Sequence, residues 1–290
     1  MQEKILNTKK NGMAVMLLCI LIYIGAILAV VFGAIDMDKG RNIGLALFIP
    51  GLVWTMIGWI PFCGLKVLKP QEALVLTLFG KYVGTLKGEG FYFVNPFCTG
   101  VNPAAATRLN QSGDVDSNSQ NNLLGVLSNA NNANAAAVIA AESGKKISLK
   151  IMTLSNSRQK INDCLGNPIE IGIAVMWRVV DTAKAVFTVD NYKEYLSLQC
   201  DSALRDIVRI YPSDVAPGVD TTGDGVADEG SLRGSSETVA QRIRDEIQSK
   251  VESAGLEILE ARITYLAYAP EIAAVMLQRS RPAPSSTRAR

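Results

Sequence analysis

The chain of 290 residues contains no histidine. That absence removes the Ser-His-Asp and Cys-His nucleophilic arrangements, and with them any zinc or haem site built on imidazole. A Ser-Lys pairing survives the count, but no motif singles one out. No catalytic residue is assigned, no cofactor is expected, and the chain reads as a protein that is not an enzyme. Cysteine is also sparse. Cys98, Cys164 and Cys200 fall in the soluble part, an odd number without CxxC spacing, which suits a reducing compartment better than a disulfide framework. A large excess of either charge is lacking too, and a net +2 gives no general pull toward nucleic acid.

One string resembles a metal loop. In "DTTGDGVADEG", Asp220, Asp224 and Asp228 stand at positions one, five and nine of a calcium loop, with Gly225 at six. Position three is Thr222, and position twelve, which needs a bidentate Glu, is Ser231. Pro212 and Pro217 leave no helix leading in. The string is read as a solvated acidic turn, and no metal ligand is assigned. Gly80-Lys81 is not a phosphate loop, because Tyr82 stands where Ser or Thr would bind magnesium. The basic tail, with Arg279, Arg281, Arg288 and Arg290, is read as a solvated end.

What is present in abundance is apolar length. Residues 13–35 and 43–65 each run 23 residues without a charge, about 35 Å as helix against a hydrocarbon core of roughly 30 Å. Only "DMDKGRN" (Asp36 to Asn42) separates them, so two spans would form an antiparallel hairpin. Pro50 and Pro61 are positions where the second helix is open to kinking or shortening, which leaves a re-entrant hairpin as an alternative. Lys4, Lys9 and Lys10 precede the first span, Lys66 and Lys69 follow the second, and the loop holds Lys39 and Arg41. That count favours both chain ends in the cytoplasm. Gly25, Ala29 and Gly33 repeat at small-xxx-small spacing, which permits close helix contact.

Beyond Gly64 the pattern turns to strands. "LKVLKPQEALVLTLFGKY" runs apolar in strand style with a break at Pro70, and Gly84, Gly88 and Gly90 mark turns before "FYFVNPF". Thr99 to about Ser143 is rich in Asn, Ser and Ala, and reads as a flexible insertion, with a short helix near 134–142. "KKISLKIMTLSN" resumes regular structure. Ile169, Ile171, Ile173, Val175, Trp177 and Val179 fall on one face at period two. Asn191 to Tyr211 predicts a helix whose inner side carries Tyr195, Leu198, Leu204, Ile207, Val208 and Tyr211. Ser235 to Ala254 predicts a second, with Val239, Ile243, Ile247 and Val251 inward and Gly255 ending it. "LEILEARITYLAY" returns as a strand, and Pro270 suits the first turn of a final helix. The aromatics Phe91, Tyr92, Phe93 and Phe97 are assigned either to the core or to the membrane interface.

"TLFGKYVGTLKGEGFYFVNPF", "GNPIEIGIAVMWRVVDTAKAVF" and "LEILEARITYLAYAPEIAAVMLQR" together resemble the SPFH, or band-7, family of stomatins, prohibitins and flotillins. The chain closely resembles the bacterial SPFH-domain membrane proteins that carry an N-terminal hydrophobic hairpin. The resemblance implies an α+β fold: an SPFH domain with an antiparallel sheet and amphipathic helices, preceded by a two-helix transmembrane hairpin. The expected organisation is a cytoplasmic N-terminus at 1–12, the hairpin at 13–65, an SPFH domain at 66–279 carrying a low-complexity insertion at 99–144, and a disordered tail at 280–290.

For function, the resemblance implies a non-enzymatic scaffold in the cell (inner) membrane that homo-oligomerises, organises membrane microdomains, and holds or regulates client membrane proteins. The alternative is a dedicated regulatory subunit of a membrane protease or transporter. The expected partners are membrane lipids, further copies of the chain and a membrane client, with no nucleic acid. Relatives continue past "MLQR" into a long Ala- and Gln-rich helix, where this chain has "SRPAPSSTRAR". The ending reads like a truncated or frame-shifted C-terminus, which puts assembly through that helix in doubt.

Overall fold

The computed structural model describes residues 2–7, 10–39, 42–107, 144–156, 158–213 and 231–270. The acidic string at 220–230, the proposed helix at 134–142 and the helix and tail from 271 onward lie outside them.

The first apolar run forms one helix, α1 (Gly12–Asp38), of 27 residues. It continues three residues past the charge-free run, to Asp38. The second run forms α2 (Asn42–Ile57), with Pro50 inside it, and a short α3 (Ile60–Cys63) with Pro61 in its first turn. Pro50 is tolerated within the helix. The break comes at Gly58 and Trp59, where Pro61 starts a fresh turn.

The strands follow as β1 (Leu65–Leu68), β2 (Glu72–Leu78), β3 (Lys81–Lys87), β4 (Gly90–Phe93), β5 (Cys98–Gly100), β6 (Ile147–Ser148), β7 (Met152–Ser155), β8 (Gln159–Asn162) and β9 (Pro168–Val179). Then come α4 (Thr182–Phe187), α5 (Tyr192–Val208), α6 (Ser236–Val251) and β10 (Leu256–Tyr268). Among the described residues these strands pair antiparallel throughout.

These elements make two compact units. In one, β2 is central, with β3 on one side and β5 and β6 on the other. β1 and β4 form a separate two-stranded ribbon. Leu68, Leu74, Leu76, Leu86, Tyr92, Val94 and Cys98 close the core. The two-residue link between β2 and β3 is Phe79-Gly80, both at positive φ (49° and 82°), as a tight hairpin matching strand twist requires. Glycine takes this φ freely, while a bulky Phe there is strained.

In the other unit β9 is central. β10 flanks one edge, and β7 and β8 share the other. The period-two residues Ile169 to Val179 are all buried as the alternation requires. α6 turns Val239, Ile243, Ile247 and Val251 inward, all fully buried, and Gly255 closes it in a left-handed conformation (φ 70°). α5 departs from the expected face. Leu198 is 59% exposed, while Leu196, Cys200 and Ala203 are buried with Leu204, Ile207 and Val208. The helix packs by its smaller residues, and Tyr195 stays half-buried because its hydroxyl donates to the Lys250 carbonyl (3.0 Å).

Candidate membrane-proximal surface

The α1/α2 hairpin is assembled by small residues, on a different stripe from the expected one. A Cβ on Gly33 would fall 2.8 Å from the Phe48 backbone, one on Gly44 2.6 Å from Met37, and one on Gly51 2.9 Å from Val30. Tyr23 packs on Gly58 and donates its hydroxyl to the Thr55 carbonyl (3.4 Å). The contacts run through 23, 26, 30, 33 and 37 on one helix and 44, 48, 51, 55 and 58 on the other. Steps alternate between three and four, the heptad-like spacing of antiparallel helices. Gly25 has nothing within 4 Å of its missing Cβ, so of the two glycines in the Gly25-Ala29-Gly33 stripe only Gly33 lies in the seam.

Outside the seam the hairpin is bare. Gly12–Asp38 and Gly44–Cys63 are long and apolar enough to cross a membrane, and only 6% and 11% of their most apolar windows are buried. A core helix of a soluble domain would show the reverse. About 25 cal/mol is gained per Å² of such surface removed from water, so an apolar phase is the stable surrounding for these helices.

Both hairpin ends rest on the β1/β4 ribbon. A Cβ on Gly12 would meet the Phe91 carbonyl oxygen at 2.7 Å. Gly64 lies against the Val94 carbonyl and the Phe93 ring, and its own carbonyl accepts from Val94 N (2.9 Å). In the ribbon Leu65 pairs with Phe93 and Val67 with Phe91, while Lys66 pairs with Tyr92 and Leu68 with Gly90. Side chains alternate between faces. One face therefore holds Leu65, Val67, Phe91 and Phe93, half-buried or exposed, and the other holds the buried Leu68 and Tyr92. The four aromatics divide accordingly: Tyr92 enters the core, Phe91 and Phe93 meet the helix ends, and Phe97 is exposed. Phe97 stacks on Phe79 (6.4 Å between centroids), which is 88% exposed at the β2–β3 tip.

A third feature had no sequence signal. Residues ahead of α1 run along β3: Thr85 N donates to Lys4 O (2.8 Å) and Leu6 N to Thr85 O (2.9 Å). Glu3 Oε1 accepts from the Thr182 backbone N–H (3.1 Å) and hydroxyl (2.5 Å), at the first turn of α4. Glu3 Oε2 pairs with Lys87 Nζ at 2.7 Å. A carboxylate at a helix N-terminus is favourably placed for both hydrogen bonding and charge.

Two of the five thiols are held in the protonated form. Burial and Asp201 push the Cys200 thiol up to about 12, and burial also raises Cys98. Neither thiol supplies a nucleophile near neutral pH. Among the described residues no cluster of three or more metal-ligating side chains occurs. A cleft of about 520 Å³ is lined by Lys160, Arg205, Arg209 and Asp163. Asp163 is consumed by its own turn, accepting from Leu165 N, Asn167 N, Asn167 Nδ2 and Ser213 N.

The model of the SPFH domain / Band 7 family matches residues 66–281. The chain belongs to that family. The Band 7 region thus begins two residues after Gly64, where the hairpin ends on the ribbon. No match to a characterised protein was found. The mixed helix and antiparallel-sheet fold and the two N-terminal apolar helices agree with this assignment.

Proposed function

We propose that the chain is a membrane-anchored, non-enzymatic Band 7 scaffold in the cell (inner) membrane. The hairpin crosses the bilayer, and the Band 7 region stands on the cytoplasmic side. Copies associate side by side to confine lipids and hold client membrane proteins. Members of the family are generally non-enzymatic scaffolds, and the protonated Cys98 and Cys200 thiols accord with that. The observation that carries the reading is the continuity of apolar surface from the bare hairpin helices onto Leu65, Val67, Phe91 and Phe93. A bilayer satisfies both at once. Many weakly self-associating copies tethered in one plane act as a firm array, since tethering raises the effective concentration of each for the next.

The test has two parts. Alkaline extraction of native membranes should leave the chain in the pellet, and release into the supernatant would refute the anchor. Cross-linking in those membranes should give a ladder of homo-oligomers. Monomers alone would refute the scaffold, and a single co-purifying protein at fixed ratio would replace it with the regulatory-subunit reading.

A further inference from the structure

Two phenylalanine rings project from the β2-centred unit on turns that fix their positions. Phe79 is 88% exposed and Phe97 59%, and the rings stack at 6.4 Å between centroids. Phe79 opens the two-residue β2–β3 link at φ 49°, in the left-handed region that disfavours a bulky side chain. Phe97 lies in a turn closed by Asn95, whose Oδ1 accepts from Phe97 N (3.0 Å) and whose carbonyl accepts from Cys98 N (2.9 Å). Cys98 then pairs with Leu78, which brings the two turns side by side. That turn starts one residue after Val94, whose N–H donates to Gly64 O at the end of the hairpin (2.9 Å). From Val94 to Phe97 is three residues, at most about 11 Å of chain. The exposed rings and the end of the second apolar helix are therefore close neighbours.

We propose that Phe79 and Phe97 form a second point of membrane attachment, dipping into the headgroup–acyl boundary of the leaflet from which the hairpin emerges. The proposal deepens the membrane-anchor reading and rests on it. Helix α1, with 27 residues, is about 40 Å long, some 10 Å more than the hydrocarbon core, so the hairpin ends stand in the headgroup layers. A ring held within about 11 Å of such an end reaches the boundary where Phe side chains bury from water. Turn chemistry gives no reason for an aromatic at 79, since Gly, Asn or Asp takes that conformation with less strain. The fold leaves the ring in water, and a bilayer supplies the apolar surrounding. A hairpin alone sets the depth of the attached unit, whereas a second contact off the helix axis also holds it against tilting.

The test uses the full chain in phosphatidylcholine nanodiscs loaded with one copy per disc. Phe97→Trp is made in a chain carrying Trp54→Phe and Trp59→Phe, so the other indole is that of the fully buried Trp177. Lipid brominated near the headgroup end of its acyl chains should quench most of the emission added at 97, and aqueous iodide should quench little of it. Lys69→Trp, an exposed position at the opposite end of β2, should show the reverse. Phe79→Asp keeps a residue that tolerates the left-handed turn but brings a charge to the boundary. It should abolish lipid quenching at 97 and admit iodide, with circular dichroism unchanged.

Iodide quenching at 97 without lipid quenching, in discs that retain the chain, overturns the proposal and leaves the anchor standing. Lipid quenching that persists in folded Phe79→Asp overturns the paired contact. Shielding from iodide that needs two copies per disc assigns the rings to a neighbouring copy and overturns it as well. A chain that does not enter the discs takes down the anchor, and this contact with it.

Discussion

Glu3 serves partners 84 and 179 residues away in the chain. Its carboxylate is mostly buried, with 13% of the side chain exposed, so its removal takes one partner from Lys87 and the charged acceptor from the Thr182 N–H. Glu3→Ala is expected to cost about 2–3 kcal/mol and to release the Thr85 amide to fast hydrogen exchange. Glu3→Gln, which keeps an acceptor for Thr182, should lose less. Unchanged Thr85 protection in Glu3→Ala would show that the strand pairing holds without the carboxylate.

Lys250 and Asp206 offer a second test at this scale. Nζ to Oδ2 is 2.6 Å. That hydrogen bond holds the Asp206 carboxyl below its ordinary range and Lys250 above its own. The Asp206 share of stability is complete above the unfolded carboxyl pKa and is lost as pH falls through the lowered folded value. The Lys250 share is complete below the unfolded lysine pKa and is lost as pH rises through the raised one. The urea midpoint difference between the parent and Asp206→Asn should therefore be level from about pH 5 to 9 and shrink at both extremes. It should be small, because Asp206 is half exposed and screened.

Among the elements, legibility followed local periodicity. β9 could be read directly because six apolar residues alternate without interruption and both neighbours on its sheet leave only one face to the core. α6 was equally plain, since polar or charged residues fill every position but Ala240 outside its four-residue repeat. α5 was misread on one face because large residues, Tyr195 and Leu198, outweighed the small Cys200 and Ala203 that the packing uses. The small-residue stripe in α1 failed similarly. A four-residue repeat was visible, but antiparallel helices meet on alternating steps of three and four, and that depends on the partner. The β1/β4 ribbon was seen as strands, yet its apolar face emerges only once register pairs Leu65 with Phe93. For α6, Ile243→Ala should destabilise its unit by about 2–5 kcal/mol, read as a lower urea midpoint with unchanged slope. A loss under 1 kcal/mol would mean that the helix repacks around the vacancy.

For the whole molecule, the link between residues 3–6 and β3 constrains topology. Residues before the hairpin and residues after it are hydrogen-bonded to each other, so they occupy one side of any membrane the hairpin enters. With Cys63 and Cys164 replaced by Ser, a membrane-impermeant maleimide should reach Gln2→Cys and Glu252→Cys from the same side, and Lys39→Cys only from the other. Labelling of Gln2→Cys and Glu252→Cys from opposite sides would be incompatible with the structure.

The same link sets an order of events during biosynthesis. Glu3 leaves the ribosome first, while Thr182 is made 179 residues later, on the order of ten to thirty seconds at typical translation speeds. On the proposed anchor, the hairpin would enter the lipid through that interval while the nascent head end stayed behind, waiting for the strand and helix that clasp it. A leader peptide that drew the head end across would strand it permanently, and the finished protein would lack its clasp.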